Sequence, residues 1–336
     1  MDPRRAEVAQ AQEGWRLDRV LAEVWPDHSR SFWQRQIAAG NVTVEGRQQK
    51  KGGYLLKAGQ LLLAQVPEEP RERLVWENGA PFKWPDWVLY YDQEIIVINK
   101  PRGLTAHPSP GHWNDSVVHR LWPWLSAVPG DWRPGVVHRL DRDTSGAMVL
   151  ARTARARELL SQAIQERQVQ RDYLAVVRGH PTPPLGTIEA PIGRDPAHRL
   201  KMALVLNGRF ARTHYRTVAS WAGFSLLACR LDTGRTHQIR VHLASWGHPV
   251  LGDTLYGGGH PLFSAGQLLH AGRLRFQHPM NSQLATFFAP VPQDWGLLAR
   301  LGPAQIESSY LFDEDEGPLT QPWLTQLGVA SASRSS

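Results

Sequence analysis

The chain has 336 residues, 42% of them hydrophobic, and its 38 lysines and arginines outweigh 31 aspartates and glutamates to leave a net charge of +7. That balance excludes a fibrous or wholly disordered chain and allows one large domain beside a small one. The single cysteine, Cys229, excludes an intramolecular disulfide and a cysteine-based zinc site, and no apolar run approaches the ~18 residues of a membrane span.

With no apolar signal core in MDPRRAEVAQAQEG, a cytoplasmic protein without membrane contact is expected. The charge is uneven: from Leu301 onward five acids face one base, a net −4, which leaves +11 on residues 1–300. A body that basic suits a polyanionic partner, because each phosphate neutralised releases counterions.

Residues 1–13 read as a polar leader. Leu17, Val20, Leu21 and Val24 recur at helical spacing, and Pro26 closes that helix. A second helix spans 31–39 and stops at Gly40. Asn41 to Glu45 alternates as a strand, and 54–66 supplies two more short strands around Lys57-Ala58-Gly59-Gln60. Residues 67–84, rich in proline and charge, read as a linker.

From there to residue 300 a larger domain is expected. Ile95-Ile96-Val97-Ile98 has the continuous apolar character of a buried strand and runs into Asn99-Lys100-Pro101. Leu159, Leu160, Ala163 and Ile164 share one face of a helix over 155–167. The strand over 172–177 puts Tyr173, Ala175 and Val177 on one side and Leu174 and Val176 on the other. Thr236 is a plausible N-cap for a helix with Ile239, Leu243 and Trp246 on one face, and Arg240 sits one turn beyond His237. Gly257-Gly258-Gly259 lacks the setting of a phosphate loop and reads as a flexible turn. The tryptophans at 84, 122 and 124 are expected to pack rather than stack on a ligand. Residues 301–336 read as a disordered tail.

The most polar stretch set between apolar runs is HRLDRDTSG, residues 138–146. Asp143, Thr144 and Ser145 suit bonding to their own backbone in a tight turn, with Gly146 supplying a permissive dihedral, but this leaves His138-Arg139-Leu140-Asp141 unexplained. PGVVHRLDRDTSG resembles the signature of the RluA-type pseudouridine synthases. The INKPRGLTAHP stretch, LDTGRTHQIRVHLASWGHPVLGD and LLHAGRLRFQHP are similar to further blocks of that family. Residues 14–66 resemble the small RNA-binding domain of ribosomal small-subunit protein four, through RLDRVL, Ser29-Arg30, Ile37, Gly40 to Val44 and Lys57 to Gln60.

The resemblance implies an α+β fold, with a curved, mainly antiparallel mixed sheet, flanking helices and a small α+β RNA-binding domain. It implies an isomerase that converts uridine in RNA, ribosomal RNA of the large subunit in particular, to pseudouridine. Asp141 would be the nucleophile, Arg240 its partner, and Tyr173 the ring that stacks on the base. Arg139 would fill the space of the extruded base, and His138, Asn99, Lys100, His107 and His237 would contact substrate. Arg30, Arg35, Arg47, Lys50 and Lys51 would face phosphates. The family has Lys-x-Tyr where this chain has Arg171-Asp172-Tyr173.

An aspartate suits such a task, being ionised at neutral pH with an ordinary pKa of about 3.9 and able to add to a pyrimidine ring or capture an anomeric carbon. Neither a cofactor nor a metal is expected, since His237 and His242 lack further ligands at recognisable spacing, and a monomer is expected. The alternatives are the same chemistry on transfer RNA, a non-catalytic RNA-binding or ribosome-assembly factor, and a glycoside or nucleoside hydrolase with Asp143 as second carboxylate.

Overall fold

The computed structural model describes residues 2–25, 30–66, 84–108, 115–125, 133–198 and 200–307; most of the expected linker and tail lies outside them. The chain divides at Trp84 into two units. No helix of the described residues is long and apolar enough to cross a membrane.

The first unit holds β1 (Asp2–Glu7), α1 (Leu17–Val24), α2 (Arg30–Ala38), β2 (Val42–Val44), β3 (Arg47–Gln48) and β4 (Leu61–Val66). Helical spacing buries Leu17, Val20 and Leu21 against Trp33, Ile37, Val42 and Leu62. Two expectations need correction. Residues 2–7 are not a leader but an edge strand, antiparallel to β4 from Asp2↔Val66 to Glu7↔Leu61 and first in the order β1-β4-β2-β3. Backbone pairing, which leaves no mark in side-chain hydrophobicity, captures this polar segment. Residues 54–66 form one strand, with only a bridge between Arg16 and Leu55 before it.

The second unit comprises β5 (Val88–Tyr91), β6 (Ile95–Lys100), α3 (Val117–Leu121), β7 (Ser145–Ala151), α4 (Ala154–Gln165), β8 (Gln170–Arg178), β9 (Leu185–Glu189), β10 (Ile192–Arg194), β11 (Met202–Leu204), β12 (Arg212–Trp221), β13 (Phe224–Leu231), α5 (Gln238–Ser245), β14 (Leu269–Gln277), β15 (Leu284–Phe288) and β16 (Gln305–Ile306). Ten strands form one mixed sheet in the order β16-β12-β13-β8-β14-β7-β6-β5, with β15 on β14 and β9 on β12. The pairing is antiparallel except between β7 and β14.

The sheet is buried on both faces. Ile96 and Ile98 of β6 join Tyr173, Ala175 and Val177 of β8 in one core, while Ile95 and Val97 pack with Ala156 and Leu160 of α4. Leu174 and Val176 face a third cluster, so the alternation expected for β8 holds. On α4 the apolar face is Ala156, Leu160, Ala163 and Ile164, whereas Leu159 is exposed. Trp84 stacks on Tyr91 and Trp124, an aromatic packing of the kind expected. The sheet also takes in residues beyond 300, because β16 pairs with β12.

The parallel contact of β7 with β14 depends on Gly146. Its φ is +115°, and a Cβ there would lie 2.3 Å from the Ala271 carbonyl oxygen and 2.5 Å from its nitrogen. Gly146→Ala is therefore expected to cost at least about 2 kcal/mol of stability, through a disallowed backbone conformation and a backbone clash, and thermal melting checks it.

Two imidazoles flank β7 and are held neutral. His270 donates from Nε2 to the Ala289 carbonyl at 3.0 Å and accepts at Nδ1 from the Ser145 hydroxyl at 2.9 Å, and burial lowers its pKa to about 4. His138 accepts at Nε2 from the Val149 N–H at 3.0 Å, and burial lowers it to about 3. In the unfolded chain both take a proton below the ordinary pKa of 6.5. Their contribution is thus complete above pH 6.5 and lost as pH falls toward 4, by ~1.4 kcal/mol per pH unit for each proton. Melts from pH 7 to 4.5 should show that slope, and His270→Gln should lower it by one proton whatever its absolute stability.

Candidate active site

Two clefts, of about 410 and 430 Å³, meet on the same five residues: Arg139, Leu140, Asp141, His237 and Arg240. Asp141 leads the turn into β7, above buried Leu140, and the Thr144 N–H donates to its carbonyl at 3.1 Å. The hydroxyls of the turn do not bond their own backbone as expected. Thr144 Oγ1 accepts from the Gln267 amide at 3.2 Å and Ser145 Oγ donates to His270, so the turn is fastened sideways to β14 and the residues before it. Asp143 borders the second cleft with Asp141, but both of its oxygens accept from Arg142, an arrangement that leaves it an ion-pair partner rather than a second catalytic acid.

Arg240 is the centre of the site. Its Nη1 donates to Asp141 Oδ2 at 3.0 Å, while Nε and Nη2 donate to the two oxygens of Asp253 at 2.7 and 3.0 Å. Burial opposes the charge, but the two carboxylates outweigh it and hold the guanidinium pKa above its ordinary value. Asp253 is itself buried and accepts from the N–H groups of Leu255 and Tyr256. The glycine run beside it is a turn packed at Gly258, with Gly257 and Gly259 exposed. Gly252 N–H donates to Gly258 O, and a Cβ on Gly258 would stand 1.8 Å from the Val250 oxygen.

His237 and Arg240 do project to one region. The N-cap of α5 is His237 rather than Thr236; its φ is +57°, which turns the chain so that Nε2 lies 3.9 Å from Asp141 Oδ2 and Nδ1 lies 2.9 Å from the Tyr256 hydroxyl. Burial lowers the His237 pKa against the pull of Asp141.

Tyr173 lies buried in the wall of the first cleft with Leu231, Ile239 and Leu269, and burial raises its pKa. Its position is fixed from the opposite face of β8. There Asp172 takes hydrogen bonds from Arg230 Nε of β13 and Arg273 Nε of β14, both at 2.7 Å and both across the strand pairing.

Of the other expected contacts, Arg139 is exposed at the junction and lines both clefts, and His107 lines the second with Nδ1 on the Pro108 carbonyl. His138 borders the first cleft, with its Nε2 committed to Val149. Two are corrected. Asn99 donates to Pro290 O and borders neither cleft. Lys100 is fully buried under the turn and donates to the carbonyls of Pro101, Leu104 and Arg142; burial lowers its pKa to about 7 against the pull of Asp143 and Asp141. It clamps the turn rather than touching substrate.

In the first unit Arg47, Lys50 and Lys51 are exposed. Arg30 instead donates to buried Asp18, as do Arg16 and Gln34, so its guanidinium is a strut. Burial of Asp18 is outweighed by these donors, which hold its carboxyl well below the usual range. The Arg35 side chain lies outside the described residues. Sequence reasoning missed Asp253, Tyr256 and Asp172. For Asp253 the available signal was the Gly-Asp pair closing the third motif, at a turn that must reach back to the helix.

Residues 94–245 match the RNA pseudouridylate synthase family and residues 15–62 match the S4 domain. An RNA pseudouridine synthase of Synechocystis sp. is 41% identical over 293 residues, covering 85% of this chain and 88% of that protein. The ribosomal large subunit pseudouridine synthases D of Xanthomonas campestris and Xylella fastidiosa are 42% and 41% identical, covering 91% and 93% of this chain and 93% and 96% of their own. Among solved structures, human RNA pseudouridylate synthase domain containing 4 shares the fold, with a TM-score of 0.52 at 24% identity over 65% of this chain and 94% of that one. With the carboxylate–guanidinium pair in place and relatives matched along most of its length, the chain belongs to the RNA pseudouridine synthase family and carries an N-terminal S4 domain.

Proposed function

We propose that this enzyme isomerises uridine to pseudouridine in large-subunit ribosomal RNA, with Asp141 as nucleophile. The observation that carries the reading is the Asp141–Arg240 contact at 3.0 Å, backed by the forked pair of Arg240 with Asp253, at the junction of two clefts. A carboxylate in a desolvated site costs several kcal/mol unless a partner holds it, and a planar guanidinium supplies that partner in a fixed orientation. From there one oxygen can add to the pyrimidine ring or capture the anomeric carbon as the glycosidic bond breaks.

Tyr173 offers its ring to the base and its phenol to the proton that leaves the carbon in the last step. Arg139, exposed beside the nucleophile, takes the space of the extruded base. The relatives named for the large ribosomal subunit favour ribosomal over transfer RNA, and the intact ion pair argues against a factor that only binds. The same reading puts the protein in the cytoplasm, where this RNA is, and has it act as a monomer.

Site-resolved pseudouridine mapping of ribosomal RNA from cells with and without the protein tests the target. Asp141→Asn, nearly isosteric but not nucleophilic, should lower turnover by at least ~10³-fold while RNA affinity stays within a few-fold, since phosphate contacts elsewhere carry binding. Appreciable turnover by a pure Asn variant removes Asp141 from its role. Arg139→Ala should slow a stem-loop more than a loose strand of the same local sequence, because extruding a paired base costs about a few kcal/mol and extruding a loose one costs less. Single-turnover rates on the two substrates check this; equal slowing makes Arg139 a support of the turn.

A further inference from the structure

The wall of the first cleft carries cations that the reaction above does not use. Arg171 stands two residues before Tyr173 in β8, so both side chains leave the strand on the same face. Arg171 is 7% exposed, and its buried Nε has no hydrogen-bond partner. Its Nη1 lies over Gly234, where a Cβ would come within 2.7 Å, so this glycine leaves the room that the guanidinium occupies. A guanidinium stays charged at neutral pH, and a buried N–H without an acceptor is a standing cost.

Further along the same wall Arg167 follows α4 with a φ of +62°, in the left-handed region where helices commonly end on glycine. Its N–H donates to Ile164 O at 3.2 Å and the next N–H, of Gln168, to Ala163 O at 2.8 Å. The helix is thus properly closed, but by an exposed arginine. Besides Asp141, the carboxylate lining this cleft is Asp232, and it is already shared by Arg212 and His214. Two features that lower stability therefore present guanidinium groups to one space beside Tyr173, where among the described residues the lining carboxylates, Asp141 and Asp232, are already engaged by other side chains.

We propose that Arg171 and Arg167 form a phosphate subsite for the RNA strand, Arg171 taking a phosphodiester that flanks the target uridine and Arg167 the next one outward. The forked guanidinium suits the two free oxygens of a phosphodiester, and successive arginines suit successive phosphates. The proposal rests on the first cleft being the uridine site. It gives the replacement of the family's lysine by Arg171 a purpose: a guanidinium reaches phosphate with two donors where an ammonium offers a point charge.

The test uses the full chain and short target RNAs in which a neutral methylphosphonate replaces each phosphate near the uridine in turn, with affinity read separately from turnover. The wild type should lose about tenfold or more in affinity at one flanking linkage. Arg171→Gln should lose as much on unmodified RNA, lose nothing further at that linkage, and lower the salt dependence of binding by about one counterion. Gly234→Ala, whose methyl displaces only the end of a flexible side chain, should fall between the two. Arg167→Gly, relieved of its left-handed strain, should melt at the same or a higher temperature yet bind several-fold more weakly and lose sensitivity at the next linkage.

The proposal is overturned if Arg171→Gln and Gly234→Ala keep the wild-type salt slope, or if they remain as sensitive as wild type to every neutral linkage. A contact from Arg171 to a base carbonyl gives that second result. A wild type that forms no pseudouridine on the unmodified RNA defeats the isomerase reading instead, and the binding arm still decides the subsite.

Discussion

Everything in the site hangs on one guanidinium shared by two carboxylates. Arg240 is buried, and a buried ion is tolerated only when its partners are in place; removing one partner of such a group typically costs about 3–5 kcal/mol. Asp253 takes two donors and fixes the plane, which leaves Nη1 pointing at Asp141. Asp253 is in turn anchored by two backbone N–H groups and a turn whose glycines permit close backbone approach. The orientation of Asp141 is therefore set less by its own loop than by α5 and the turn after it.

The sheet supplies the frame. The turn of Asp141 leads into β7, Tyr173 sits in β8, and β14 lies between those strands in the order. Leu269 of β14 lines the first cleft together with Asp141 and Tyr173. That frame is held from behind. Asp172 locks β8 to both neighbours through Arg230 and Arg273, and Gly146 lets β7 approach β14 where any side chain would strike Ala271. Lys100 gathers three carbonyls beneath the turn, so its charge is spent on backbone.

Which parts were legible in the sequence follows from what carries each signal. Ile95 to Ile98 and the alternation through Tyr173 announce strands because burial on two faces leaves a pattern. Asp141 and Arg240 were singled out by the resemblance of their motifs to the family, which also implied the pairing seen at 3.0 Å, and helical spacing puts His237 with Arg240. Asp253 is thirteen residues beyond its partner, and no local period links a turn to a helix face. Asn99 and Lys100 were assigned to substrate through the resemblance of their motif, and a polar pair at a strand end looks the same whether it meets a ligand or clamps a backbone. Arg30 was expected to face phosphates on the same kind of ground, and only the fold reveals Asp18 beneath it. Strand β1 was invisible because an edge strand needs no hydrophobic face.

The placement of Asp141 at the meeting of two clefts fits what the proposed reaction demands. The base must leave its ribose, turn and rejoin it through carbon without escaping, while the ribose stays tethered to the strand on both sides. A carboxylate at the end of a single pocket would reach the base or the sugar, but one at a junction can face both. Here the first cleft offers Tyr173, Leu231, Ile239 and Leu269 to a detached ring beside the charged groups that also line it, and the second carries His107, Thr105, Arg142 and Asp143. Arg139 and Arg240 border each. On the proposed reading, the Asp141 carboxylate faces the base and the sugar from one place, bordering both clefts.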